Sequence, residues 1–574
     1  MVSPNLATKK TSTGGEELND NAKKLFQAIY NDLHRPVDQD DESPRLQVSE
    51  LISKMAFFYE KVRNAVDYEE DHLLRKNAIA RILKRQVVIE GLLKTQSTEA
   101  LARHLLAELI RASYLPNNVL PESKASEVTQ ILDKYLRLRQ ECLKTFDPSL
   151  NLQTDINKAK NELQERNRLV NWILTLAACE IEENLVSSQT KQAMVNVMFD
   201  SLRSIVQLPP DLPYAQDLDI QLYLSISRTY SRFDEDMLSF VLFKYYNQDW
   251  TSDKIDPMFA PKDSQIVAVA KNIQILRAAI NNQLKHPLNK QLDRLVRRYA
   301  LYFTVLQETI DGDPAKVYNE FKQNPKTFLN AVRKVCNKKY KKAKSRLWRA
   351  AMRSIVYIFL TKSIFVFLIE VPAIHWFNQP LNHIALAINV VFPAILLFLI
   401  VTFTRVPGES NTDRIVEGVK EIALVSAARQ QPIKLRNPKK RGTTINFIFN
   451  LVYASTFLLS TYFIVWFLTK VNFNWVSIVI FLFFLAFVSF FSIIVTRGVK
   501  ELLVIEKKEN LLSFLADLFY MPIIMAGKWL SSNVSKVNVF IFIFDFIIEA
   551  PFKIIVEIAE EWTKYIKERK DNMV

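Results

Sequence analysis

Four long apolar runs dominate the chain between Ile355 and Val495, and they come in two pairs. Ile384–Phe403 holds one Asn, one Pro and no charge over twenty residues. At 1.5 Å per residue such a helix is about 30 Å long, the thickness of a bilayer core. Ile445–Leu468 and Trp475–Val495 are as strong, while Lys362 and Glu370 interrupt Ile355–Trp376. The pattern predicts a transmembrane domain over 355–496, with spans at 355–376, 384–403, 445–468 and 475–495 arranged as two hairpins.

Before these runs the apolar positions repeat at helical spacing. Leu51, Met55, Phe58, Tyr59 and Val62 share one face of a helix over Glu50–Val66. Further helices fit His72–Lys94, Ala125–Phe146, Thr154–Asn184, Thr190–Gln207, Ile266–Lys285 and Leu288–Ile310. Ser97 is placed to cap a helix starting near Ala100. Asp313-Pro314 and Asn324-Pro325 each set a capping side chain before a proline at the first helical position. Ile220, Leu222, Leu224 and Ile226 alternate like a strand, but Ile220, Tyr223, Leu224 and Ser227 also share a helical face, and helix is the reading adopted. Pro116 and Pro121, Pro209 to Pro213, and the loop from Trp250 to Asp263 break the array. Residues 1–16 read as disordered and 17–332 as a cytosolic all-helical domain.

Glycine supports the all-α reading. The chain has nine, where ordinary usage of about 7% would give roughly forty. None occurs between Gly91 and Gly312, which removes phosphate-cradling loops and dinucleotide-binding turns from that stretch. Three scattered cysteines, Cys142, Cys179 and Cys336, suggest reduced thiols rather than a disulfide frame, and no pair has zinc-ligand spacing. Asp311-Gly312-Asp313 lacks the order and the final Glu of a calcium loop and reads as a turn. No cofactor or metal is implied, and the start of the chain has no secretory signal, so the first span itself directs insertion.

The net charge of +15 is concentrated beside the spans. Arg333, Lys334, Lys338, Lys339, Lys341, Lys342, Lys344, Arg346, Arg349 and Arg353 form an acid-free polybasic helix over 333–354. Arg429 to Arg441 adds six basic residues without an acid. The rest of the chain is near neutral, which argues against nucleic acid as a partner. By the positive-inside rule, the basic link 405–442 and both termini are cytosolic, while Phe377–His383 and Thr469–Asn474 are external. Trp376, Trp466 and Trp475 then lie at the outer boundary, as an aromatic belt requires. The expected location is the plasma (inner) membrane, crossed several times. Thr404-Arg405 followed by Gly418-Val419-Lys420-Glu421, and Thr496-Arg497 followed by Gly498-Val499-Lys500-Glu501, suggest related hairpins or merely a shared interfacial composition.

Lys362, Glu370, Asn389 and Asn450 are the candidate intramembrane polar residues. In a regular helix Lys362 and Glu370 stand about 80° and 12 Å apart, so they are not expected to pair with each other. The simplest expectation is that each snorkels to its own interface; pairing with other helices or an ion path are the alternatives. His375 and His383 read as turn residues rather than metal ligands. The polybasic cluster suits anionic lipid headgroups or simply fixes orientation.

Residues 497–574 read as cytosolic-side amphipathic helices. Leu511–Ile524 and Val537–Ile558 are apolar enough to raise a six-span alternative. Asp545, Glu549, Lys553 and Glu557, however, gather within about 120° of one helical face. Burying four such charges would cost roughly 10 kcal/mol on the insertion scale, which favours a helix lying at the interface. The functional expectation is a non-enzymatic membrane scaffold or adaptor. It presents a helical domain to protein partners, touches anionic lipid and has the means to shape membranes, with self-association left open. A transport or channel component is the alternative, and a membrane-bound enzyme without a visible motif is third.

Overall fold

Local capping chemistry sets where several helices begin. The Ser97 hydroxyl accepts from the Ala100 amide at 3.2 Å. Asp313 Oδ1 accepts from the Lys316 amide and Asn324 Oδ1 from the Lys326 amide, both at 3.0 Å. Each satisfies an amide that the first helical turn leaves without a partner. The computed structural model describes residues 17–34, 44–48, 70–89, 97–144, 156–186, 189–250 save Asp249, 263–426, 431–438, 442–505 and 510–536, with isolated positions beyond these. The helix expected over Glu50–Val66 and the face of Asp545, Glu549, Lys553 and Glu557 lie outside the described residues, as does the segment 1–16.

The described chain is almost wholly helical and falls into two compact units. One is built mainly from Gln27–Ala300, together with Pro432–Arg436. Its helices are the second half of α1 (Asp20–Leu33), α2 (Asp71–Lys84, extended by a π turn to Ile89), α3 (Thr98–Arg111), α4 (Ser123–Lys144), α5 (Ile156–Leu185), α6 (Gln189–Ile205), α7 (Leu218–Thr229), α8 (Glu235–Tyr246), α9 (Asp263–Lys271), α10 (Ile273–Leu284) and the first half of α11 (Asn289–Ile310). The alternating stretch from Ile220 is helical, as α7.

Helix α5 is the charged hub of this unit. Glu180 accepts from Tyr135 at 2.7 Å and pairs with Lys134, both on α4. Glu182 takes a two-pronged contact from Arg75 of α2 at 2.7 and 2.8 Å. Glu183 holds Lys244 of α8 at 2.6 Å. Lys76, 1% exposed, reaches Asp234 at 2.5 Å and Asp236 at 2.9 Å at the start of α8. Burial lowers the Lys76 pKa, but the two carboxylates more than offset this and hold it above 10.5. The only named strands among the described residues are β1 (Val206–Gln207) and β2 (Ile433–Lys434), which pair in parallel. Gln291 fastens the same segment by exchanging hydrogen bonds with the Arg436 backbone at 2.7 and 2.9 Å. Part of the basic link between the second and third apolar runs is thus folded into this unit, a use its charge did not foreshadow.

The second unit is built mainly from Leu301–Gln431 and Asn437–Asn538. It contains α12 (Pro314–Gln323), α13 (Pro325–Phe365), a π turn at Val366–Glu370, α14 (Val371–Trp376), α15 (His383–Thr402), α16 (Glu409–Ala423), α17 (Thr443–Lys470), α18 (Trp475–Lys500) and α19 (Leu511–Lys536). Four helices are long and apolar enough to cross a membrane: the continuous run Pro325–Trp376, then α15, α17 and α18. Polybasic segment and first span are one uninterrupted helix. Helices α13, α15 and α18 pack together. One apolar cluster joins Leu347, Leu397, Val401 and Val488, and a second joins Ala385, Leu468, Phe473 and Phe481. Phe359, Leu360, Ile364 and Phe367 remain exposed on the outside of the first run, as a lipid-facing surface requires.

Helix α19 packs on α17 and α18 near the middle of each. Ser460 Oγ donates to the Phe519 carbonyl at 3.1 Å. A Cβ on Gly527 would stand 1.9 Å from the Ala486 carbonyl oxygen, so only glycine permits this approach. Total hydropathy does not register such a small-residue contact face.

Candidate functional site

The first span carries two ionisable side chains, and the backbone between them decides where they point. A π turn holds one more residue than an α turn. That extra residue rotates the rest of the helix back by about 100°, which turns the 80° offset of Lys362 and Glu370 into roughly −20°. The two side chains therefore share a face. Lys362 Nζ lies 3.8 Å from Glu370 Oε2, and both side chains are fully buried. The expectation that they cannot pair, and that each snorkels to its own interface, is corrected: regular α geometry does not apply across Val366–Glu370.

Two other helices complete the cluster. Asn389 of α15 donates to Glu370 Oε1 at 2.6 Å and to the Ser477 carbonyl at 3.3 Å. Ser477 of α18 donates to the same Glu370 oxygen at 2.7 Å. Asn474 caps α18 by accepting from the Ser477 amide at 2.8 Å, and its amide group reaches the Pro380 carbonyl at 3.2 Å. The Lys362 ammonium sits 3.8 Å from the Phe484 ring centre and 5.3 Å from that of Phe365. Aromatic faces attract a cation electrostatically, and here they substitute in part for water. Lys362 Nζ, Glu370 Oε2 and Asn389 Oδ1 still lack a hydrogen-bond partner among the described residues.

Chemically, the arrangement does two things. It ties the first span to the second and fourth through one carboxylate, and it leaves a cation, a carboxylate oxygen and an amide oxygen with spare hydrogen-bonding capacity in a buried position. Asn450 does not join it; it stands exposed on α17. His375 and His383 are exposed near the ends of α14 and α15. No grouping of three potential metal-ligating residues occurs among the described residues.

A second junction lies near the start of α16. Asn411 donates to the Tyr340 hydroxyl at 2.9 Å and to the Leu502 carbonyl at 2.8 Å, and accepts from the Val504 amide at 2.8 Å. One amide side chain thereby joins α13, α16 and the segment after α18. Burial raises the Tyr340 phenol pKa against the opposing hydrogen bonds of Thr412 and Asn411. Gly418 is buried so close to Tyr302 that a Cβ would come within 2.4 Å of the ring. Gly498 has open space in the last turns of α18. The two Gly-Val-Lys-Glu motifs thus occupy unlike surroundings.

Nine of the ten polybasic side chains are exposed on α13, Lys339 being half-buried. Arg333 pairs with Asp413 and Lys339 with Glu308, each at 2.6 Å. No protein-family model, curated protein or solved structure matches this chain.

Proposed function

We propose that this protein is an integral membrane scaffold whose helical unit is presented to protein partners in the cytosol. The four apolar helices cross the bilayer as two hairpins, with both termini and the 405–442 link inside. The observation that most supports this is the buried cluster at Glu370. Its carboxylate takes up hydrogen bonds from two neighbouring spans, as a fastener between helices would. The cation beside it is faced by the rings of Phe484 and Phe365, which supports a packed junction. Such a bundle is an anchor, and the chemistry left for partners lies on the soluble side. Basic residues next to the apolar boundary, Arg349 and Arg353, suit anionic headgroups.

A transport component is the second reading. It is favoured by the spare hydrogen-bonding capacity of Lys362, Glu370 and Asn389. Ionisable residues inside a membrane mark ion paths often enough that this reading makes its own prediction, a flux abolished when either charge is neutralised.

Orientation tests the frame common to both. With the three native cysteines replaced, Gln379→Cys is expected to react with a membrane-impermeant thiol reagent added outside intact cells. Gln431→Cys is expected to react only after permeabilisation. Labelling of Gln431→Cys in intact cells would reject the orientation, and with it the cytosolic placement of the helical unit.

A further inference from the structure

Six of the ten basic residues of the polybasic segment form a line along one face of α13, with Arg333, Lys339, Lys344 and Arg346 outside it. In the frame of α13, Lys334, Lys338, Lys341, Lys342, Arg349 and Arg353 fall within about 120° of one another, at 100° per residue. Val332, Cys336, Leu347 and Ala351 are buried on the opposite side. The six basic side chains are exposed, and none has an acidic group within 4.0 Å among the described residues. Like charges spaced three or four apart on a helix repel one another, so the bare face is unfavourable until something neutralises it.

Distance from the bilayer divides the line. Counted from Ile355, where the apolar run starts, Arg349 and Arg353 lie within about 9 Å along the helix, inside or beside a headgroup layer about 5–8 Å deep. Lys342 lies about 20 Å away and Lys334 about 31 Å away. A tilt of about 40°, the upper end for such helices, shortens these heights by only about a quarter. Lipid headgroups therefore account for the two arginines and not for the four lysines.

We infer that the exposed face of Lys334, Lys338, Lys341 and Lys342 docks an acidic helical segment of a protein partner. Lys334, Lys338 and Lys342 follow at four-residue spacing and Lys341 stands three beyond Lys338, which matches carboxylates at three- and four-residue spacing on a helix lying alongside. Single-stranded nucleic acid fits less well. Its binding surfaces offer aromatic side chains for base stacking, whereas Tyr340 is buried and Trp348 packs against Phe398 at 6.2 Å between ring centres. The inference deepens the scaffold reading by naming a partner class, but needs only that α13 is formed.

The test uses the full chain in nanodiscs of phosphatidylcholine, which carries no net charge. The probe is a fluorescent helical peptide with glutamates at three- and four-residue spacing on one face, read by anisotropy near physiological salt. Exposed ion pairs are individually weak, so four of them together predict about a tenfold loss of affinity in the variant K334Q/K338Q/K341Q/K342Q. The variant R349Q/R353Q should bind within about twofold of wild type. The inference is overturned if wild type does not bind the peptide or if the four-lysine variant binds it equally well. It is also overturned if a labelled single-stranded RNA binds more tightly and is the ligand lost, or if adding phosphatidylserine to the discs abolishes peptide binding. The discs need not have a known orientation, so failure here is distinguishable from failure of the topology.

Discussion

Glu370→Gln is expected to destabilise the detergent-solubilised protein by about 3–5 kcal/mol, the usual cost of leaving one member of a buried ion pair without its partner. The substitution keeps the side-chain shape and removes the charge facing Lys362. The ammonium then stays buried with only the rings of Phe484 and Phe365 and a neutral amide nearby. Lys362→Met should cost a similar amount, because the Glu370 carboxylate loses its cation while Asn389 and Ser477 still bond it. Combining the two substitutions should recover most of the loss, since neither charge is then stranded. A double-mutant cycle read by reversible thermal or denaturant unfolding measures this. Additive losses would show that the 3.8 Å approach carries no coupling.

Lys76 gives the second large effect, with an asymmetry that comes from exposure. Its side chain is 1% exposed, while those of Asp234 and Asp236 are 30% and 50% exposed. Asp234→Asn together with Asp236→Asn leaves a buried ammonium without a counter-charge, and about 3–5 kcal/mol should be lost. Lys76→Met leaves two carboxylates that water can reach, so its cost should be well below that. Equal losses would contradict this asymmetry. The pH dependence has a definite sign. Lys76 is held above 10.5 in the folded chain, so its contribution is fully present below that value. It disappears as the pH rises through the folded pKa, and the wild-type advantage should not vary between pH 6 and 9.

The four apolar helices were legible because hydropathy integrates over twenty residues and the signal is contiguous. Caps at Ser97, Asp313 and Asn324 were legible because a side chain bonds an amide two or three residues away, within reach of local reading. Asn389 stood out as a polar residue in a span, but its partners, Glu370 and Ser477, did not. They depend on packing between helices, and the Lys362–Glu370 approach depends on a π turn. Val366 to Glu370 itself has no proline or glycine, but Pro372 just beyond cannot donate to the Leu368 carbonyl, a local sign of irregular helix that an offset of about 80° ignores. Asn411 was missed for a related reason. A single asparagine in a basic link has no periodic neighbours, yet it joins three segments of the chain. Gly527 carried a usable signal, a small residue in an apolar helix, that the charge-based reading of 497–574 did not weigh.

Whether the polar cluster is a sealed fastener or part of a path is decided most directly by access to Ser477. In a background without Cys142, Cys179 and Cys336, which are buried thiols, Ser477→Cys is nearly isosteric and sits on the Glu370 carboxylate. In sealed proteoliposomes it should resist membrane-impermeant thiol reagents from both sides under conditions that modify Gln379→Cys fully. Modification of Ser477→Cys at a comparable rate from either side would show that water reaches the cluster, and would contradict the account of a closed, anchoring bundle.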